Sequence, residues 1–150
     1  MASIIEAAAP EALPRTPSAV WIGRTLTGLF ALFMLGASVA PKLLQRDVAS
    51  ETLVGLGWPG SYALMIGIFE LTFLLLYLWP RTSVLGAVLM TALLGGAMAT
   101  HIRVGSPLFS HTLFSIYLAL FMWGGLWLRS PELRALFPIS TSTDGRNRHA

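Results

Sequence analysis

The sequence predicts an all-α integral membrane protein, a bundle of four transmembrane helices with a short interfacial helix between the first and the second. Three observations carry that expectation. The chain of 150 residues is 55% hydrophobic and only 11% charged, which leaves too little polar composition for a separate soluble domain. Four apolar runs, about 20–40, 61–79, 83–100 and 108–128, each approach the roughly 20 residues that a helix needs to cross a hydrocarbon core about 30 Å thick. Turn-forming residues separate them: Pro41, then Pro59-Gly60, then Pro80-Arg81-Thr82, then Gly105-Ser106-Pro107.

Residues 1–19 are rich in Ala and Pro and show no periodicity, as expected of a disordered tail, and the membrane domain then spans 20–138. In the first run, Arg24 sits one turn inside and can snorkel to the near surface. Gly28, Leu32, Gly36 and Ala40 follow it at four-residue intervals, a smooth stripe suited to close helix packing. The stretch 41–60 mixes Leu43, Leu44, Val48, Leu53 and Leu56 with Lys42, Arg46, Asp47 and Glu51 at roughly helical period. It is too short and too charged to span, so a helix along the interface, anchored by Trp58, or a structured surface loop is expected there.

The second run holds Glu70 at its midpoint, nine residues of 61–79 lying on either side. A carboxyl group at that depth costs several kcal/mol unless neutralised, paired or wetted, which makes it a candidate functional residue, a structural interhelical hydrogen bond being the alternative. The third run repeats Ser83, Ala87, Thr91, Gly95 and Ala99 at four-residue spacing, a second small-residue face. The connector after it brings His101, Arg103 and His111 close in sequence. The fourth run ends in Trp123, Trp127 and Arg129, aromatic and basic anchors for an interface. Residues 139–150 read as a second disordered tail.

Charge sets the expected orientation. Four crossings place Arg15, Arg24, Arg81, Arg129, Arg134, Arg146 and Arg148 on one side and Lys42, Arg46 and Arg103 on the other. The richer side faces the cytoplasm, so both termini are expected there. Counted from the outer ends at about 1.5 Å per residue, Glu70 lies about 14 Å deep and Tyr117 about 10–14 Å deep. Tyr117 and Thr91 are therefore expected hydrogen-bond partners of Glu70, with Arg103 reaching inward as an alternative, ionic, partner.

Several chemistries are excluded or lack residues. With no Cys, thiol redox centres, Cys-ligated clusters and disulfides are out. The ten-residue separation of His101 and His111 fits no standard zinc signature, and no metal is expected. Phosphate loops, dinucleotide fingerprints and hydrolytic triads are absent. The dispersed basic residues argue against nucleic acid.

The segments PKLL after the first run, FEL around Glu70, PRTSVLGA into the third run and THIRVG at its exit resemble the DoxX-like family of small four-helix bacterial membrane proteins. The resemblance covers Arg24 to Pro138. It implies an inner-membrane location, and Glu70, His101 and Arg103 match the family's recurrent polar positions. Members include small subunits associated with quinone-linked sulfur oxidation, parts of membrane oxidoreductase assemblies and distant animal proteins that assist receptor assembly.

Two functions follow. One is an accessory protein of a membrane redox system, with a quinone held between helices by Glu70 and by Tyr117 or Arg103. The other is a non-catalytic assembly partner, acting on another membrane protein or on its own copies through the small-residue stripes. A lipid-modifying enzyme using Glu70 and His101 as acid and base is a third, weaker reading. No independent catalytic activity is expected.

Overall fold

The computed structural model describes residues 17–137, which are helical throughout apart from turns and contain no strand. The expected tail 1–19 lies outside these residues except for its last three, and 139–150 lies outside them altogether. Helix α1 is α-helical over Pro17–Phe33, passes through a π-helical turn at Met34–Val39 and resumes over Ala40–Leu43. A short helix, α2, covers Asp47–Gly55. Helix α3 spans Tyr62–Leu78, α4 spans Ser83–Arg103, and a π-helical turn at Leu108–Thr112 leads into α5, Phe114–Arg129. The described chain closes with α6, Pro131–Leu136.

Among the described residues three helices are long and apolar enough to cross a membrane: Ser18–Leu43, Ser83–Arg103 and Leu108–Arg129. Tyr62–Leu78 is equally apolar in character but has 17 residues.

The boundaries differ from the sequence expectation at informative places. Helix α1 begins at Pro17, three residues early, because proline has no N–H to lose in a first turn and its φ is already helical. It also continues past Ala40. Pro41 cannot donate to Ala37, and its ring crowds that carbonyl. The wider π turn immediately before it accommodates the proline, with the Ala40 N–H donating to Leu35. Pro41 and Lys42 thus belong to α1 rather than to the connecting segment, and the helix expected within 41–60 is confined to Asp47–Gly55.

The four long helices form a ring. Helix α1 packs on α5, α5 on α4, α4 on α3, and α3 returns to the C-terminal third of α1, while the backbones of the diagonal pairs stay apart and α3 reaches α5 through the Tyr77 and Arg129 side chains. The small-residue stripes contribute less than expected. Gly28, Leu32 and Gly36 are exposed, and α1 buries instead Gly23, Thr27, Phe30, Ala31 and Met34, also at helical spacing. On α4, Ser83 and Ala87 are buried but Gly95 and Ala99 face outward. The close approaches occur at other glycines. A Cβ on Gly23 would lie 2.8 Å from the Gly125 carbonyl oxygen, and one on Gly86 would lie 2.6 Å from Tyr77 Cα.

The packed core fills only the half of the ring nearest the Trp79–Thr82 turn. Phe30, Met34, Leu74, Tyr77, Met90, Met122 and Leu126 are all buried there. The Tyr77 hydroxyl donates to the Met122 carbonyl at 2.9 Å and lies 3.2 Å from Thr27 Oγ1, so its polar end is satisfied inside the core. Arg129 lies over the Tyr77 ring and donates to the Tyr77 carbonyl at 3.1 Å. The other half of the ring is open, and the candidate site lies in it.

Candidate functional site

The open half encloses a cavity of about 810 Å³ between α1, α2, α3, α4 and α5. That size is ordinary for a small-molecule site. Its walls are mainly apolar, with Phe33, Met65, Ile66, Leu93, Phe114 and Leu118 among the lining side chains. Its charged side chains and its imidazoles fall in two places.

The first is a triad of Ser38, Lys42 and Glu70. Ser38 and Lys42 are four residues apart on α1, so both side chains emerge from one face of the helix. On α3, Gly67 stands one turn before Glu70 on the facing side. A Cβ at Gly67 would lie 2.8 Å from Lys42 Cβ, so the missing side chain lets the two helices close at this level. Lys42 Nζ then reaches both Glu70 carboxylate oxygens at 2.9 Å, an ion pair with Glu70 only 5% exposed. Ser38 Oγ donates to the same carboxylate at 3.0 Å and accepts from Lys42 Nζ at 2.7 Å. Lys42 further approaches the Ser38 carbonyl at 3.3 Å. Each member therefore engages the other two, as a buried charged pair requires.

The second polar place is the far end of the cavity, where His101 and His111 both contribute to the lining. Their ring centres are 5.6 Å apart with planes inclined at 59°. His101 Nδ1 pairs with Ser106 Oγ at 2.9 Å and His111 Nδ1 with Ser110 Oγ at 2.8 Å.

The structure distributes the sequence-predicted residues unevenly. Glu70, His101 and His111 line the cavity, but none of the expected partners of Glu70 reaches it. Thr91 donates to the Ala87 carbonyl at 2.7 Å and accepts from Trp123 Nε1 at 2.9 Å. Tyr117 is 45% exposed and does not line the cavity. Arg103 turns outward, donating to the Leu56 carbonyl at 2.7 Å and lying over Trp58, where it ties the end of α2 to α4.

Sequence reasoning missed Lys42 and Ser38 as the partners. The signal available was their four-residue spacing, hidden by the assumption that α1 ends before Pro41. Among the described residues no group of three or more His, Cys, Asp or Glu side chains comes together to hold a metal.

Comparison with curated proteins and with solved structures found no match. The profile described as the DoxX-like family matches residues 25–125, which runs from the third turn of α1 through the close-packed Gly125 of α5 and includes the whole cavity. With about two thirds of its length matched and its helices this apolar, the chain is a membrane protein that belongs to the DoxX-like family.

Proposed function

We propose that this protein holds a flat, lipid-soluble carbonyl compound, of which a quinone is the best fit, in the cavity beside Lys42 and Glu70, as an accessory to a membrane redox system. The chain crosses the bacterial inner membrane four times with both termini in the cytoplasm, and the cavity opens toward the outer half of the bilayer. The observation that carries the reading is the pairing of one buried charged triad with apolar walls in a space of about 810 Å³. A quinone ring is an apolar plate with acceptor oxygens at its edge, and such a ligand needs aromatic and aliphatic walls plus a small number of fixed donors. Phe33 and Phe114 supply ring faces, and Lys42 supplies ammonium hydrogens that a carbonyl oxygen can accept in place of the long Ser38 carbonyl contact. Glu70 holds the ammonium in place, and Ser38 fixes both.

The test is tryptophan quenching. Trp58 lines the cavity, so a short-chain quinone analogue added to the purified protein is expected to quench emission saturably. Lys42→Met and Glu70→Gln are expected to weaken that binding at least about tenfold, the loss of about 1.4 kcal/mol that one charge-assisted hydrogen bond is worth. Linear, unsaturable quenching by every quinone analogue, or equal affinity in both variants, overturns the reading.

A second reading is favoured by one observation. A Cβ at Gly95 meets nothing within 4 Å, and Gly95 and Ala99 are exposed outside the cavity lining, so a smooth face of α4 is uncovered. That face suits close helix association with another membrane protein or a second copy. Gly95→Leu is then expected to abolish a co-purifying partner that Glu70→Gln retains.

A further inference from the structure

We propose that His101 and His111 form the protein half of an open transition-metal site at the outer end of the cavity, taking a borderline ion such as Zn2+ or Cu2+ with its remaining positions left to water or to an oxygen of a bound molecule. Three independent features lead there. The first is separation. Two imidazole nitrogens each about 2.0–2.1 Å from one ion, at an angle between tetrahedral and trigonal, set their ring centres about 5–5.5 Å apart. The rings here stand 5.6 Å apart and inclined at 59°, close to that arrangement.

The second feature is the outer contacts. Each Nδ1 has its own serine hydroxyl, Ser106 for His101 and Ser110 for His111. A hydroxyl that accepts the Nδ1 hydrogen fixes the tautomer and leaves the Nε2 lone pair free, the support that ligating histidines have in metal sites. The third is the local field. His101 lies in the last turn of α4, where the carbonyl end of the helix favours a cation.

The two histidines are ten residues apart in sequence and meet only because Gly105, at φ +68°, turns the chain back after α4. The π-helical turn Leu108–Thr112 then carries His111 back toward α4. Two ligands alone make a modest site. Its open positions face a cavity that can supply an oxygen donor, in the manner of catalytic rather than structural metal sites.

The experiment is calorimetric titration of the full-length, tag-free protein in detergent with Zn2+ and, separately, Cu2+, no quinone being present. One equivalent is expected to bind, with His101→Asn and His111→Asn each weakening it at least about tenfold and His149→Ala leaving it unchanged. Ser106→Ala is expected to weaken binding several-fold by freeing the His101 tautomer. Thermal melting of each variant without metal controls for folding, since neither histidine is part of the packed core. Absence of stoichiometric binding by the wild-type protein overturns the proposal. So does binding that survives both histidine substitutions or is lost with His149. Because the readout is metal uptake alone, it stands or falls separately from quinone binding.

Discussion

Replacing Lys42 with methionine removes the only cation, among the described residues, in contact with Glu70 while keeping a four-atom unbranched stem. The carboxylate then keeps a single donor, Ser38 Oγ, which has one hydrogen for two oxygens now 3.0 Å away. Glu70 is 5% exposed and cannot recover its lost bonds from water. Removing one partner from a buried ion pair costs about 3–5 kcal/mol. The Lys42 side chain retains 17% exposure, so solvent already screens part of that interaction, and we set the loss at about 2–3 kcal/mol. Glu70→Gln is expected to cost less, about 1–2 kcal/mol, because the amide still accepts and the long ammonium chain can swing toward water. The double variant Lys42→Met/Glu70→Gln removes both charges and should recover at least about 1 kcal/mol relative to the sum of the single changes. Thermal unfolding in one detergent, followed by circular dichroism, reads the effect as a lowering of Tm by about 5–10 °C for Lys42→Met. A Lys42→Met protein within about 0.5 kcal/mol of wild type, or strict additivity in the double variant, would refute the coupled triad.

Three further outcomes are expected. Gly86→Ala forces a methyl against the Tyr77 and Leu76 backbone, which cannot rotate aside, and should cost about 2–4 kcal/mol, whereas Gly95→Ala, with open space around it, should be neutral or gain up to about 1 kcal/mol; denaturation midpoints compare the two. Tyr77→Phe strips a partner from the Met122 carbonyl and Thr27 Oγ1 and should lower stability by about 1–2 kcal/mol, yet leave quinone-analogue affinity unchanged because Tyr77 lies outside the cavity. Reporter fusions to the two ends should both read as cytoplasmic, and opposite readings would remove the four-crossing topology.

Much of the helical scaffold was legible because apolar run length is a one-dimensional signal, and runs of this kind have few structural solutions in lipid. Glu70 was legible for the same reason: a carboxyl group in such a run is conspicuous. Its partners were not. Rise per residue gives depth, and by depth Tyr117 and Thr91 were as good as any. Which residues meet depends on azimuth, at about 100° per residue, and one residue separates Tyr117 from the cavity-lining Leu118. Lys42 was hidden further by Pro41, which reads as a helix end and here lies inside a helix whose preceding π turn accommodates it. The glycine stripes misled in a related way: spacing identifies a smooth face without saying which way it points, and the tight contacts formed at Gly23, Gly67 and Gly86. The meeting of His101 with His111 follows from the turn at Gly105, a feature of three-dimensional course that ligand spacing does not encode.

An ammonium and a carboxylate 2.9 Å apart cancel one another at any distance much larger than their separation, so the end of the chamber beside them meets a dipole and no monopole. A visiting molecule with a full charge finds no opposite sign to compensate the hydration it leaves behind, while an uncharged one with a polarised edge can align with the local field at little desolvation cost. At this end of the chamber, away from the His101 and His111 imidazoles, discrimination between charged and neutral guests is thus built into the lining and does not depend on a gate at the entrance.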